Sequence, residues 1–168
     1  FEGGALYAFR IKNLFLKNIS LFESSANSGG IIYISLCDNF TLENLVSVNS
    51  SGSVEGGAFY LKSTKAFIKN ISVSNIIAGS SGGAFYVYGL GSEVVLFHAI
   101  FFNCSAKEGG SFIELINAQK LEFFDVIISQ AQLNPEMGNG IINLNSFSMT
   151  RIGQAPLFLL KNVIFYNY

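Results

Sequence analysis

The sequence predicts an all-β fold, a parallel β-helix of about six coils of 26–30 residues with three short strands and three sheets. Three observations predict it. Paired glycines recur at a near-constant interval, a short apolar alternation follows each pair, and a polar residue breaks a second alternation at one fixed place per repeat. No stretch carries helical periodicity.

The glycine landmarks are Gly4, Gly30, Gly57, Gly83 and Gly110, with Gly140 of "GNG" as a sixth, in steps of 26, 27, 26, 27 and 30 residues. A period of this size announces a solenoid, a propeller or an array. Two positions after the landmark stand Leu6, Ile32, Phe59, Phe85, Phe112 and Ile142; four positions after it stand Ala8, Ile34, Leu61, Val87, Glu114 and Leu144. Residues two apart share one face of a strand, so a short strand with one face in a core follows each turn. The glycines suit a sharp turn that needs positive φ or close backbone approach.

The second landmark is Asn18, Asn44, Asn70, His98, Asp125 and Asn162. Apolar residues precede it by two (Leu16, Leu42, Ile68, Leu96, Phe123, Leu160) and follow it by one (Ile19, Leu45, Ile71, Ala99, Val126, Val163). The period-two beat skips a step there, so the strand bends and a third strand begins. The six landmark residues are expected to superpose as a mostly buried polar ladder. A leucine-rich repeat has a similar period, but it has no use for paired glycines.

The "GGAL", "GGAF" (twice), "FLKN" and "FIKN" elements resemble the repeats of the polymorphic outer membrane protein family. Similar repeats occur in very large surface proteins of ciliated protists, and both belong to the pectin-lyase-like group. The resemblance covers all six coils. It implies a right-handed β-helix in a cell-surface setting, and it transfers no catalytic residue.

Composition bounds the rest. At 168 residues the chain is one domain's worth of material, and residues 1–168 read as a single β-helix segment. The chain opens on "FEGGALY", itself a repeat unit, so the segment is expected to be a piece of a longer solenoid. Ten basic against eleven acidic residues, with no basic block, exclude nucleic acid as a partner. The longest run free of charge and Gly, "VVLFHAIFFNCSA", is well short of the ~18–20 residues of a membrane-spanning helix, so no membrane span is expected in this segment. Charged residues make up 12%, about half the usual share. The surface must be polar through Ser and Asn, or covered.

Catalysis finds little to work with. Polysaccharide lyases and hydrolases of this fold need clustered carboxylates, whereas Asp38 and Asp125 are the only aspartates, at unrelated places in the repeat, and Arg10 and Arg151 the only arginines. The expectation is no catalytic residue, no metal and no cofactor. His98 reads as a substitution within the polar ladder, and Cys37 and Cys104 as two buried free thiols.

Four outward features remain. Sequons begin at Asn18, Asn39, Asn49, Asn70 and Asn103; sugar is expected on Asn49, Asn103 and Asn39, with Asn18 and Asn70 shielded in the ladder. Tyr7, Tyr33, Tyr60 and Tyr86 share one column between inward ones, followed by Ile113 and Asn143, an outward aromatic stripe. In coils four and five, Phe97, Ile100, Phe102, Phe124 and Ile127 take outward positions that elsewhere hold Lys17, Glu43, Lys69, Ser72 or Ser74, which marks a protein-contact patch. The long step to Asn162 predicts a loop within "LNSFSMTRIGQAP" carrying Arg151. The sequence thus points to a non-enzymatic structural or adhesive segment of an extracellular or cell-surface protein, a fibre, spacer or adhesin. Its expected partners are neighbouring copies or other parts of the parent chain. A carbohydrate-binding or carbohydrate-cleaving module, with glycans as partners, is the alternative.

Overall fold

The computed structural model describes residues 2–130, 140–145 and 157–166. The chain forms a right-handed parallel β-solenoid of about five complete coils. Among the described residues, each coil begins with a four-residue strand: β1 (Leu6–Phe9), β4 (Ile32–Ser35), β6 (Phe59–Lys62), β8 (Phe85–Tyr88), β10 (Ile113–Ile116) and β12 (Ile142–Asn145). These stack in that order into one sheet. The remainder of each coil is a long strand: β2 (Asn13–Phe22), β5 (Asn39–Glu55), β7 (Lys65–Ala78), β9 (Glu93–Ala106), β11 (Lys120–Ser129) and β13 (Leu157–Tyr166), with β3 (Ser25–Ser28) beside β5. The second and third strands read from the sequence are therefore one hydrogen-bonded strand folded around a corner, so two sheets cover the faces that three were expected to cover.

Left-handed residues make the corners. The first is a glycine (Gly3, Gly29, Gly56, Gly82), with φ between +61° and +68°. The second follows the short strand at Arg10, Leu36, Ser63, Gly89 and Asn117. The third is the predicted landmark, Asn18, Asn44, Asn70, His98, Asp125 and Asn162, and the fourth lies five residues later at Glu23, Asn49, Asn75, Asn103 and Gln130. Asn is enriched there because, of the non-glycine residues, it is among those that tolerate φ > 0 best.

The second glycine of each pair answers a different need. A Cβ on Gly57 would strike the carbonyl oxygen of Gly83 and come within 2.6 Å of Ile76 Cγ2. Gly30 meets Gly57 in the same way, and Gly83 meets Ser111. Neighbouring coils thus approach backbone to backbone at this column. Its next member is Ser111, which corrects the fifth coil: Ile113 pairs with Phe85, Glu114 with Tyr86 and Leu115 with Val87. Phe112 stays in the core but one place earlier in register than glycine counting assigns it, beside Ala84, and Glu114 falls in the tyrosine column instead of an inward one. One extra residue enters between the glycines and the strand, and pairing, not the landmark, sets the register. With Leu115 in place, the fifth coil keeps its alternation.

Inside runs one continuous apolar core. Phe59 stacks on Phe85 at 4.6 Å, and Phe85, Phe101, Phe112 and Phe123 interlock edge to face at centroid distances of 4.7–6.0 Å. Ser47 and Ser50, both buried, satisfy each other at 3.0 Å. Cys37 and Cys104 are buried free thiols, and burial raises the pKa of both. The expected loop with Arg151 lies outside the described residues.

Candidate functional site

The landmark column forms, but on the outside. Asn44 Nδ2 donates to Asn18 Oδ1 at 2.7 Å, Asn70 Nδ2 to Asn44 Oδ1 at 3.2 Å, and Asn162 Nδ2 to Asp125 Oδ1 at 2.8 Å. His98 Nδ1 sits 3.6 Å from Asp125 Oδ2. All six side chains are exposed. The expectation of a buried ladder is overturned for a geometric reason. A left-handed residue turns its side chain out at the corner, so the skipped beat is a residue facing outward and not one facing the core. A second amide ladder runs along the fourth corner, where Asn75 donates to Asn49 and Asn103 to Asn75, each at 3.0 Å. Its signal, a polar residue five positions after each landmark, stands in the sequence.

These ladders reorder the sequons. Asn39, Asn70 and Asn103 each commit Nδ2 to the coil before, Asn39 donating to Asn13 at 2.9 Å. Asn18 and Asn49 act as acceptors in the ladders. Asn18 and Asn70 are as exposed as Asn39 and Asn49, while Asn103 is half-buried. The shielding expected of Asn18 and Asn70 does not exist.

The tyrosine column is a stack, not an open stripe. Ring centroids of Tyr7, Tyr33, Tyr60 and Tyr86 follow one another at 5.2, 4.5 and 5.2 Å, nearly parallel. Tyr7 is 51% exposed, whereas the other three are 8–9% exposed. Each inner ring spends its faces on its neighbours, which is why an outward column reads as buried. Glu114, itself buried, follows Tyr86 in the column and accepts a hydrogen bond from the Gly110 amide at 2.9 Å. Burial, reinforced by Glu2, Tyr7 and Glu55, pushes the Tyr33 phenol up to about 12. Burial first and Glu55 second raise Tyr60 and Tyr86 further. Burial also raises the Glu55 carboxyl, against a hydrogen bond from Tyr86.

One outer column of the long-strand sheet changes character along the solenoid. It begins as an ion ladder: Glu43 lies 3.5 Å from Lys17 and 2.8 Å from Lys69, and the Lys69 hydrogen bond leads in holding its carboxyl below the ordinary range. It then becomes Phe97 and Phe124, stacked at 4.4 Å and half-buried, and returns to Lys161. Across the corner, Ile100, Phe102 and Ile127 are exposed. The same columns continue into Ile164 and Tyr166, also exposed. Sequence reading missed these two, although counting two and four residues past Asn162 finds them.

No group of three or more His, Cys, Asp or Glu among the described residues is placed to hold a metal ion, and no helix among them is long and apolar enough to cross a membrane. Comparison with protein-family models, with curated proteins and with solved structures found no match. The class the fold defines is the parallel β-solenoid.

Proposed function

We propose that the chain is a non-enzymatic structural or adhesive segment of an extracellular or cell-surface solenoid, whose outer face on coils four to six docks against protein. One observation carries the reading. Ile100, Phe102, Ile127, Ile164 and Tyr166 project from adjacent rows of a regular sheet, where coil three offers Ser72 and Ser74. A contiguous apolar patch of this kind, rimmed by polar residues, marks a contact surface. The ladders at the corners hold the rows in register, so the patch is pre-organised and little ordering cost attends binding. A carbohydrate-binding role draws less support, because a sugar stacks on an open ring face and the inner tyrosines have none to offer.

The test is made on the protein at its native surface. Ile100→Lys together with Ile127→Lys should leave the β-sheet circular dichroism intact and reduce retention in the assembly. Unchanged retention overturns the reading.

A further inference from the structure

We infer that the occupant of this face is a second copy of the chain, docked about a two-fold axis that lies along β11. The inference rests on the outer-face reading above and names its partner.

Two arguments point to self-recognition. The first is area. Aromatic side chains carry roughly 150–250 Å² each and isoleucines lie near the lower end of that range, while Ile100, Phe102, Ile127, Ile164 and Tyr166 are 48%, 41%, 37%, 55% and 59% exposed. Together they offer about 400 Å² of largely apolar surface, close to the apolar share of one side of a standard interface of about 800 Å² per partner. The second is symmetry. An isologous contact requires a surface complementary to itself. Here one column reads Ile100, Ile127, Ile164 and the next reads Phe102, Ser129, Tyr166. Both read alike from either end about coil five. A two-fold axis along β11 preserves position along the strand and reverses coil order. It therefore sets Ile127 on Ile127, Ile100 on Ile164 of the other copy, Phe102 on Tyr166, and Ser129 on Ser129. Every large apolar side chain meets another, and the one polar position meets itself. An unrelated partner would impose no such palindrome. The flat faces also share one strand spacing, about 4.8 Å, so rows of one copy mesh with rows of the other across all three coils.

Lys69 and Lys161 bracket the aromatic pair Phe97 and Phe124 on the far side of the corner. Their ammonium groups lie across the corner from the contact and so stay outside it.

Analytical ultracentrifugation of the purified chain tests this. The expected species is a closed dimer of twice 18.3 kDa, not an open series. Ile127→Lys sets two ammonium groups against each other across the axis and should raise the dissociation constant about a hundredfold or more. Ser72→Lys, in the same column but outside the patch, should leave it unchanged. Ile100→Glu and Ile164→Lys should each weaken the dimer, and combined in one chain they should restore it, because the two positions meet only across the axis. Circular dichroism on every variant separates lost folding from lost association. A chain that stays monomeric, a dimer indifferent to Ile127→Lys, or a double variant no tighter than the singles overturns the inference. A monomeric chain whose patch is nevertheless needed for retention on the native surface leaves the outer-face reading standing and removes only the second copy.

Discussion

Replacing Asn44 by Ala and by Gly separates the two things an Asn does at a corner. Its side chain donates one ladder hydrogen bond, to Asn18 at 2.7 Å, and accepts another, from Asn70 at 3.2 Å. Its backbone sits at φ +57°. Both substitutions lose both hydrogen bonds. Because the ladder is exposed, water replaces part of each bond, and the pair is worth about 1 kcal/mol, the lower end of the usual range. Ala must also hold the left-handed conformation, at roughly 1–2 kcal/mol. Gly holds it freely and loses only the extra chain entropy, roughly 0.5–1 kcal/mol. Asn44→Ala should therefore destabilise by about 2–3 kcal/mol and Asn44→Gly by about 1.5–2. The order matters more than the sizes, since in an ordinary extended strand glycine is the worse of the two. Ser72, two residues past the next corner and exposed on β7, should show that ordinary order. Urea denaturation followed by circular dichroism, with unchanged m-values, gives the four numbers. Gly costing as much as Ala at position 44 would refute the corner geometry.

Three further outcomes follow from the packing, the ladders and the tyrosine stack. Phe85→Ala empties a fully buried site that contacts Phe59, Phe101 and Phe112 and should cost about 3–5 kcal/mol by urea denaturation, whereas Phe22→Ala, at a 71% exposed position, should cost under about 1; similar costs would mean the inward columns are misassigned. In material secreted from a glycosylating host, peptide mapping should find sugar on Asn18 and Asn49 more fully than on Asn39, Asn70 and Asn103, whose amides hold the ladders; the reverse order contradicts the ladder assignment. The raised Tyr33, Tyr60 and Tyr86 phenols stabilise the fold fully below the unfolded value of 10.0, and that stabilisation is lost as pH rises from there through about 12 and beyond. Absorbance titration should show these three ionising only with unfolding, and a triple Phe variant should flatten the alkaline loss of stability.

The repeat made the architecture readable because a solenoid writes its geometry once per coil. Period, alternation and the Asn corner are local statements, and each coil repeats them. Two kinds of information were not local. The fifth coil carries an extra residue ahead of its strand, so register there depends on which residues of coil four pair with it, as Ile113 does with Phe85. The corner after the short strand holds Arg10, Leu36, Ser63, Gly89 or Asn117, with no common side chain to mark it, because the turn is imposed by the coils around it. Which way a corner residue points was also hidden. Alternation fixes in or out only while φ stays extended, and at Asn18 or Asn44 it does not. The tyrosine column failed as an open stripe for a related reason, since outward direction and exposure part company when identical rings stack at 4.5 Å. The apolar patch was legible as far as Ile127, because there the comparison is between equivalent positions in consecutive coils.

Hydroxyl-radical footprinting bears most directly on the claim that protein covers the outer face of coils four to six. The protein in its cellular setting is compared with the same protein purified and dispersed, and oxidation is read residue by residue. Phe102, Ile127 and Tyr166 should react several-fold more slowly in the cellular setting, while Phe15 and Leu90, exposed elsewhere on the solenoid, keep their rates. Equal rates at all five residues in both states would contradict the account.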